Sequence, residues 1–201
     1  MRSRDGVLVF VRQPGAMGRV AWRLGGIVAL VVAASATEAG AHPQVGARVT
    51  TGAALTDLRE SHGPRLAYHL GGRVDLLLLR ERPDQMAVGP YLDLATAAFD
   101  TFETGGGVSW LVPAGGPVFL FSGGAFARSS ALGWQPGAVA TLVWGSRSYN
   151  YHSVYGLGVG LFAQGRYGLG DSRQADVIAG VEVDLAYLAL PFILAFEAVR
   201  R

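Results

Sequence analysis

Between Val154 and Gly168 the chain alternates with a period of two: Tyr155, Leu157, Val159, Leu161, Ala163 and Tyr167 share one parity, and Gly156, Gly158, Gly160, Gln164 and Arg166 the other. Successive side chains of a strand point to opposite faces, so the segment reads as a β-strand with one greasy surface and one small or polar surface. Tyr155 and Tyr167 are twelve residues apart, which is roughly 40 Å along a strand and roughly 30 Å of height at a tilt of about 40°. That matches the apolar height of a bilayer with its interfaces, where aromatic rings collect. The expectation is a strand that crosses a membrane.

The same alternation recurs along the chain. The second strand, Arg65–Leu78, sets Leu66, Tyr68, Leu70, Val74, Leu76 and Leu78 against Arg65, His69, Arg73 and Asp75; the eighth, Ala175–Tyr187, sets Val177, Ala179, Val181, Val183, Leu185 and Tyr187 against Asp176, Gly180, Glu182 and Asp184. Fainter strands are predicted over Val45–Leu55, Met86–Phe99, Thr104–Val112, Pro117–Ala127 and Gly137–Arg147. The intervening segments, such as Asp57–Gly63, Asp100–Glu103 and Ser129–Pro136, are short and rich in Gly, Pro, Asp or Ser, as hairpin turns require. Eight is an even number, and eight tilted strands of ten or more residues with their turns consume about 160 residues.

That length is what remains after the start of the chain is set aside. Arg19 and Arg23 lead into the apolar stretch Leu24–Ala36, and Ala39-Gly40-Ala41 forms a small-residue cleavage site. This is the order of a secretory signal peptide, with cleavage expected after Ala41 and Met17 the more usual start. The apolar stretch is short of the ~20 residues a membrane helix needs. Residues 1–41 are thus read as signal peptide, 42–187 as barrel and 188–201 as a C-terminal tail or extra strand. After residue 41 the longest apolar run is Leu188–Phe196, too short to span as a helix. Hydrocarbon offers no partner to unpaired backbone groups, so a membrane protein without spanning helices must close its sheet.

A signal peptide followed by eight amphipathic strands with aromatic ends resembles the small outer-membrane barrels of the OmpA and OmpX type. The resemblance covers essentially the whole chain after the leader, as a pattern rather than a motif. It implies an all-β, eight-stranded antiparallel transmembrane up-and-down β-barrel in the outer membrane of a Gram-negative-type envelope. It further implies membrane lipid and the outer-membrane assembly machinery as partners. Barrels of this kind commonly end on an aromatic residue, whereas this chain continues past Tyr187 to Arg201, and no second domain follows that could bind peptidoglycan. Tyr68, Trp110, Trp144, Tyr155, Tyr167 and Tyr187 are the expected interface aromatics.

A soluble barrel of lipocalin type would point its apolar face inward around a lipophilic ligand and meet water with charged residues, lysine among them. This chain contains no lysine, and its polar parity is mostly Gly, Ala, Ser and Thr with scattered Arg and Asp. Small side chains fit a narrow lumen in which charges can pair. His69, Arg73, Asp75, Asp93, Arg166, Asp176, Glu182 and Asp184 fall on the inward parity and are the candidate lumen cluster. Buried charges need partners, and the simplest reading is a self-satisfied plug that stiffens the barrel. Passage or sensing of small or hydrophobic solutes is the alternative, by a lateral opening for which Pro90, inside the third strand, is the one hint.

Chemistry is sparsely advertised. The net charge of +2 and the lack of a basic stripe exclude nucleic acid. Barrel hydrolases of the envelope resemble one another in an H-x-S pair, but none of His42, His62, His69 and His152 has serine two residues later. Cysteine is absent and the histidines are dispersed, which argues against a metal. Gly158-x-Gly160-x-x-Ala163 fits a dinucleotide fingerprint only superficially, because that motif needs a following helix and the alternation runs through it. No cofactor and no catalysis are expected.

Overall fold

The computed structural model describes residues 43–59, 63–82, 84–130, 133–146, 158–170, 174–185 and 200. The leader, Tyr155, Tyr187, His42, His62, His152 and the tail (Arg200 apart) lie outside these residues. Eight strands follow in chain order: β1 Gln44–Thr56, β2 Arg65–Leu77, β3 Ala87–Ala97, β4 Thr101–Pro113, β5 Val118–Ser130, β6 Gly133–Gly145, β7 Val159–Gly168 and β8 Ala175–Asp184. Each pairs antiparallel with the next, and β1 closes on β8 from Arg48↔Asp184 to Leu55↔Val177. Closure leaves no edge with unpaired backbone groups.

Strand ends differ from the sequence expectation where turns are tighter than composition suggests. The third strand stops at Ala97 because Ala98 and Phe99 both take positive φ, 50° and 60°, and Asp100 N–H donates to the Ala97 carbonyl at 3.2 Å. Two positive φ values with that bond make a type I′ turn, a conformation usually taken by Asn-Gly. Phe99 offsets the strain by stacking on Tyr68, ring centres 6.0 Å apart. The fourth strand therefore begins at Thr101, and Glu103, expected in a turn, is a strand residue. Likewise the predicted loop Ser129–Pro136 is mostly strand, since Ser130 pairs with Gly133 and Pro136 with Ala127. Pro90 removes one donor from the β2–β3 ladder, which pairs as far as Asp75↔Tyr91 and resumes in the same register at Leu78↔Val88. The seam stays closed.

Even-numbered residues of β1 and β8 and odd-numbered residues of β2, β3, β4 and β6 face the lumen, as do the even-numbered ones of β5 and β7. Near the end where β1 starts and β8 finishes, called the terminal end below, Leu77, Ala87, Leu111, Val118, Leu120 and Val143 fill the interior with an apolar layer. Charged and hydroxylic side chains occupy the middle and the opposite end. Room for them comes from inward glycines. Gly52 on β1 and Gly180 on β8 are direct partners, and a Cβ on Gly52 would lie 2.6 Å from the Gly180 Cα. Such a contact forces the two strands apart. Gly52→Ala is expected to destabilise the barrel by about 1–3 kcal/mol, whereas Gly123→Ala, whose Cβ meets nothing within 4 Å, should leave it unchanged; equilibrium unfolding in urea measures both.

Candidate functional site

The lumen gathers the inward charges into two chains of alternating sign. In the first, nearer the termini, Arg48 of β1 pairs with Asp75 of β2 and, at 2.6 Å, with Glu182 of β8. Asp75 is shared, because Arg73 reaches it at 3.1 Å. Arg73 also donates to Ser109 at 2.8 Å and Ser122 at 2.7 Å, and its guanidinium lies 3.8 Å from the centre of the Tyr91 ring. The order is Glu182, Arg48, Asp75, Arg73, and the contacts tie together β1, β2, β3, β4, β5 and β8.

The second chain repeats that logic at the other end. Arg128 of β5 joins Asp176 of β8 to Glu103 of β4, and Glu103 is shared with Arg166 of β7. Gln174 accepts from Arg128 at 2.6 Å, Gln164 accepts from Arg166 at 2.9 Å, and Gln164 donates to Thr141 at 2.9 Å. Asp176 further accepts the Asp57 backbone N–H at 3.0 Å, anchoring the turn after β1. Each chain holds two arginines and two acids, so each is neutral, and together they touch all eight strands.

All eight residues singled out from the sequence lie on the inward parity, and five of them, Arg73, Asp75, Arg166, Asp176 and Glu182, belong to these chains. Asp184 sits at the rim opposite Arg48, half-buried. Asp93 and His69 face the middle of the lumen. The residues missed are Arg48, Glu103 and Arg128, with Tyr91, Ser109 and Ser122 around them. A signal for two of these existed. The eight candidates carry two arginines against five acids, and the absent cations, Arg48 and Arg128, occupy the polar parity of β1 and β5. Arg48 also fills the gap between strands two and eight, for β1 stands between them.

His69 is 2% exposed, and its Nε2 lies 3.2 Å from the Thr50 hydroxyl. A hydroxyl beside an imidazole is two parts of a nucleophilic triad; the third, an acid on the other nitrogen, is missing, because Nδ1 has no hydrogen-bond partner. The pair works as a core contact, with the Phe162 ring 5.7 Å away. Among the described residues no group of three or more His, Asp or Glu side chains could hold a metal ion.

The outer wall is the opposite of the lumen. None of its strand positions bears a charged side chain; its polar members are Thr51, Thr96, Thr104, Ser129 and the tyrosines. Tyr68, Trp110, Trp144 and Tyr167 project from it, exposed. They divide between two levels: Trp110, Phe121 and Trp144 near the terminal end, and Tyr68, Phe99, Phe102, Trp134 and Tyr167 near the other. Arg59, in the turn above Tyr167, bonds its hydroxyl and lies 5.4 Å from its ring centre.

No protein-family model, curated protein or solved structure gives a significant match to this chain.

Breaking one partner of a buried pair leaves the other charge uncompensated, at about 3–5 kcal/mol. Asp75→Asn, which would strand Arg48 and Arg73 directly opposite each other on β1 and β2, is expected to cost that much in urea unfolding. Asp100→Asn, which removes the exposed pair Arg65–Asp100 with side chains 52% and 46% accessible, should cost less than about 1 kcal/mol.

Proposed function

We propose that this chain is an integral outer-membrane β-barrel protein with a structural or interaction role, its lumen filled by its own side chains and no catalysis performed. The observation that carries the reading is the charge-free outer wall bounded by two levels of aromatic rings. On β6, Trp134 and Trp144 bracket Pro136, Ala138, Ala140 and Leu142. The span is ~33 Å along the strand, or ~25 Å of height at a tilt of ~40°. That equals the apolar band of outer-membrane barrels. A wall of this kind would be a liability in water, since soluble sheets expose polar residues and monomers rarely carry large apolar patches.

The up-and-down order of eight strands agrees with the resemblance to the small OmpA and OmpX type barrels. The secretory pattern over residues 1–41 supplies the route, and membrane lipid and the assembly machinery are the partners that follow. Both the apolar layer at the terminal end and the neutral ion-pair chains speak against steady passage of solutes, and the unbroken register at Pro90 speaks against a lateral opening. A lipocalin-like role would need the wall charged and the lumen apolar, the inverse of the arrangement seen.

Fractionation of cells expressing the full chain tests the reading. Recovery in the outer membrane, with a mobility shift between unboiled and boiled samples, is expected; a soluble periplasmic or secreted species would overturn it. Ala140→Arg, which places a charge midway between the aromatic levels, is expected to cost about 2–4 kcal/mol of folding free energy in lipid vesicles. A wall that met water would tolerate the same change.

A further inference from the structure

The outer wall is not uniform. On β2 and β3 its middle carries bulky side chains, Val74, Leu92 and Leu94 among them, all exposed. On β5, β6 and β7 the same belt holds Gly123, Ala140 and Gly165, which are direct neighbours in the ladder. A Cβ built on either glycine meets nothing within 4 Å. Trp110, Phe121 and Leu142 rise beside this floor on the terminal side. The result is an open hollow of about 650 Å³ with no charged residue in its lining, a volume in the range of small-molecule sites.

A cation stands at the head of the hollow. Tyr167 lies two residues beyond Gly165 on β7, away from the terminal end. The Arg59 guanidinium donates to its hydroxyl and lies 5.4 Å from its ring centre. Among the described residues Arg59 pairs with no carboxylate, whereas Arg65, on the same rim, is held by Asp100. A guanidinium presents a planar fork of N–H donors that matches phosphate, and one hydroxyl leaves most of them for a ligand.

An apolar trough headed by such a cation fits a molecule with an anionic head and an apolar chain. From Tyr167 the floor reaches Phe121 by two steps across the ladder, through Ala138 and Ala125, and four residues along β5. At ~4.8 Å per strand and ~3.3 Å per residue the path is roughly 16 Å. One leaflet, half of a hydrocarbon core of ~30 Å, is as deep. A second barrel inserted in the same direction would fit poorly. It would meet this wall ridge against ridge, Phe121 and Trp144 at one level and Trp134 and Tyr167 at the other, and bridge the hollow without filling it.

We propose that the hollow over β5, β6 and β7 is a binding site for one anionic phospholipid, its phosphate on Arg59 and one acyl chain laid over Gly165, Ala140 and Gly123 as far as Phe121, a site that rests on the reading above that this wall faces lipid.

Native mass spectrometry of the full chain, refolded in detergent micelles with phosphatidylglycerol or with phosphatidylcholine of the same chain length, is the test. One retained phosphatidylglycerol per barrel is expected, held about five-fold more tightly than phosphatidylcholine, the effect of one arginine beside an anionic headgroup. Arg59→Gln should remove that preference. Gly123→Leu, which fills the hollow from a position with room for a side chain, should weaken both lipids. Gly72→Leu, on β2 at the opposite wall, where an added Cβ also has room, should change neither. A barrel that shows the heat-dependent mobility shift yet holds the two lipids equally, or keeps its preference in Arg59→Gln, would overturn the site and leave the membrane reading standing. So would a lipid-free dimer that Gly123→Leu dissociates, which would give the hollow to a second copy. A chain that stays soluble without detergent and retains no lipid would overturn both.

Discussion

Asp75 holds the lumen together. β1 and β2 place Arg48 and Arg73 directly opposite one another, an arrangement that two buried like charges cannot sustain. A carboxylate 0% exposed and bonded to both converts the repulsion into a bridge, and Ser109 satisfies it further at 2.8 Å. From that point the chain runs on to Glu182 and fastens β8, the strand on which the barrel closes. Glu103 plays the corresponding part between Arg128 and Arg166. Sharing one acid between two arginines keeps each group neutral with few side chains, which suits an eight-stranded interior with little spare volume.

Inside and outside then follow from one rule applied to one sheet. A period of two puts every charged strand residue on the inward parity and leaves the wall apolar, so the ion pairs and the greasy surface are two readings of the same alternation. The inward glycines belong to the same scheme. Gly52 and Gly180 let β1 and β8 approach, and the space they leave takes the long side chains of other strands. Polar networks of this kind demand full satisfaction. Each arginine of the chains is paired, and the exceptions in the described lumen concentrate on Asp93, His69 and the Tyr91 hydroxyl.

Much of the architecture was legible in the chain. Strand number, the identity of each face and the inward set of eight residues all rest on parity, a local property. What parity could not supply was the list of partners. Arg48 and Arg128 were on the correct face yet stood apart from the cluster, because their acids arrive from other strands: Asp75 and Glu182 for one, Glu103 and Asp176 for the other. A count of charges by face would have pointed to the missing cations. Glu103 was hidden for a different reason, since the Ala98–Phe99 turn takes positive φ without Asn or Gly and so shortens the loop that composition predicts. Trp134 and Pro136 were lost to a proline that reads as a breaker but sits in a paired strand.

The amino-acid sequence by itself determined the period, the two faces and the number of strands, because alternation is set by the geometry of a single strand and an apolar surface is a matter of composition. Tertiary structure alone decided which arginine meets which acid, that the second strand reaches the eighth through Arg48 of the first, and that Asp93 stands outside both ion-pair chains. Those pairings depend on register and on the reach of side chains across a closed interior. Ring closure brings residues such as Arg48 and Glu182, 134 positions apart, to 2.6 Å, and no local pattern encodes that distance.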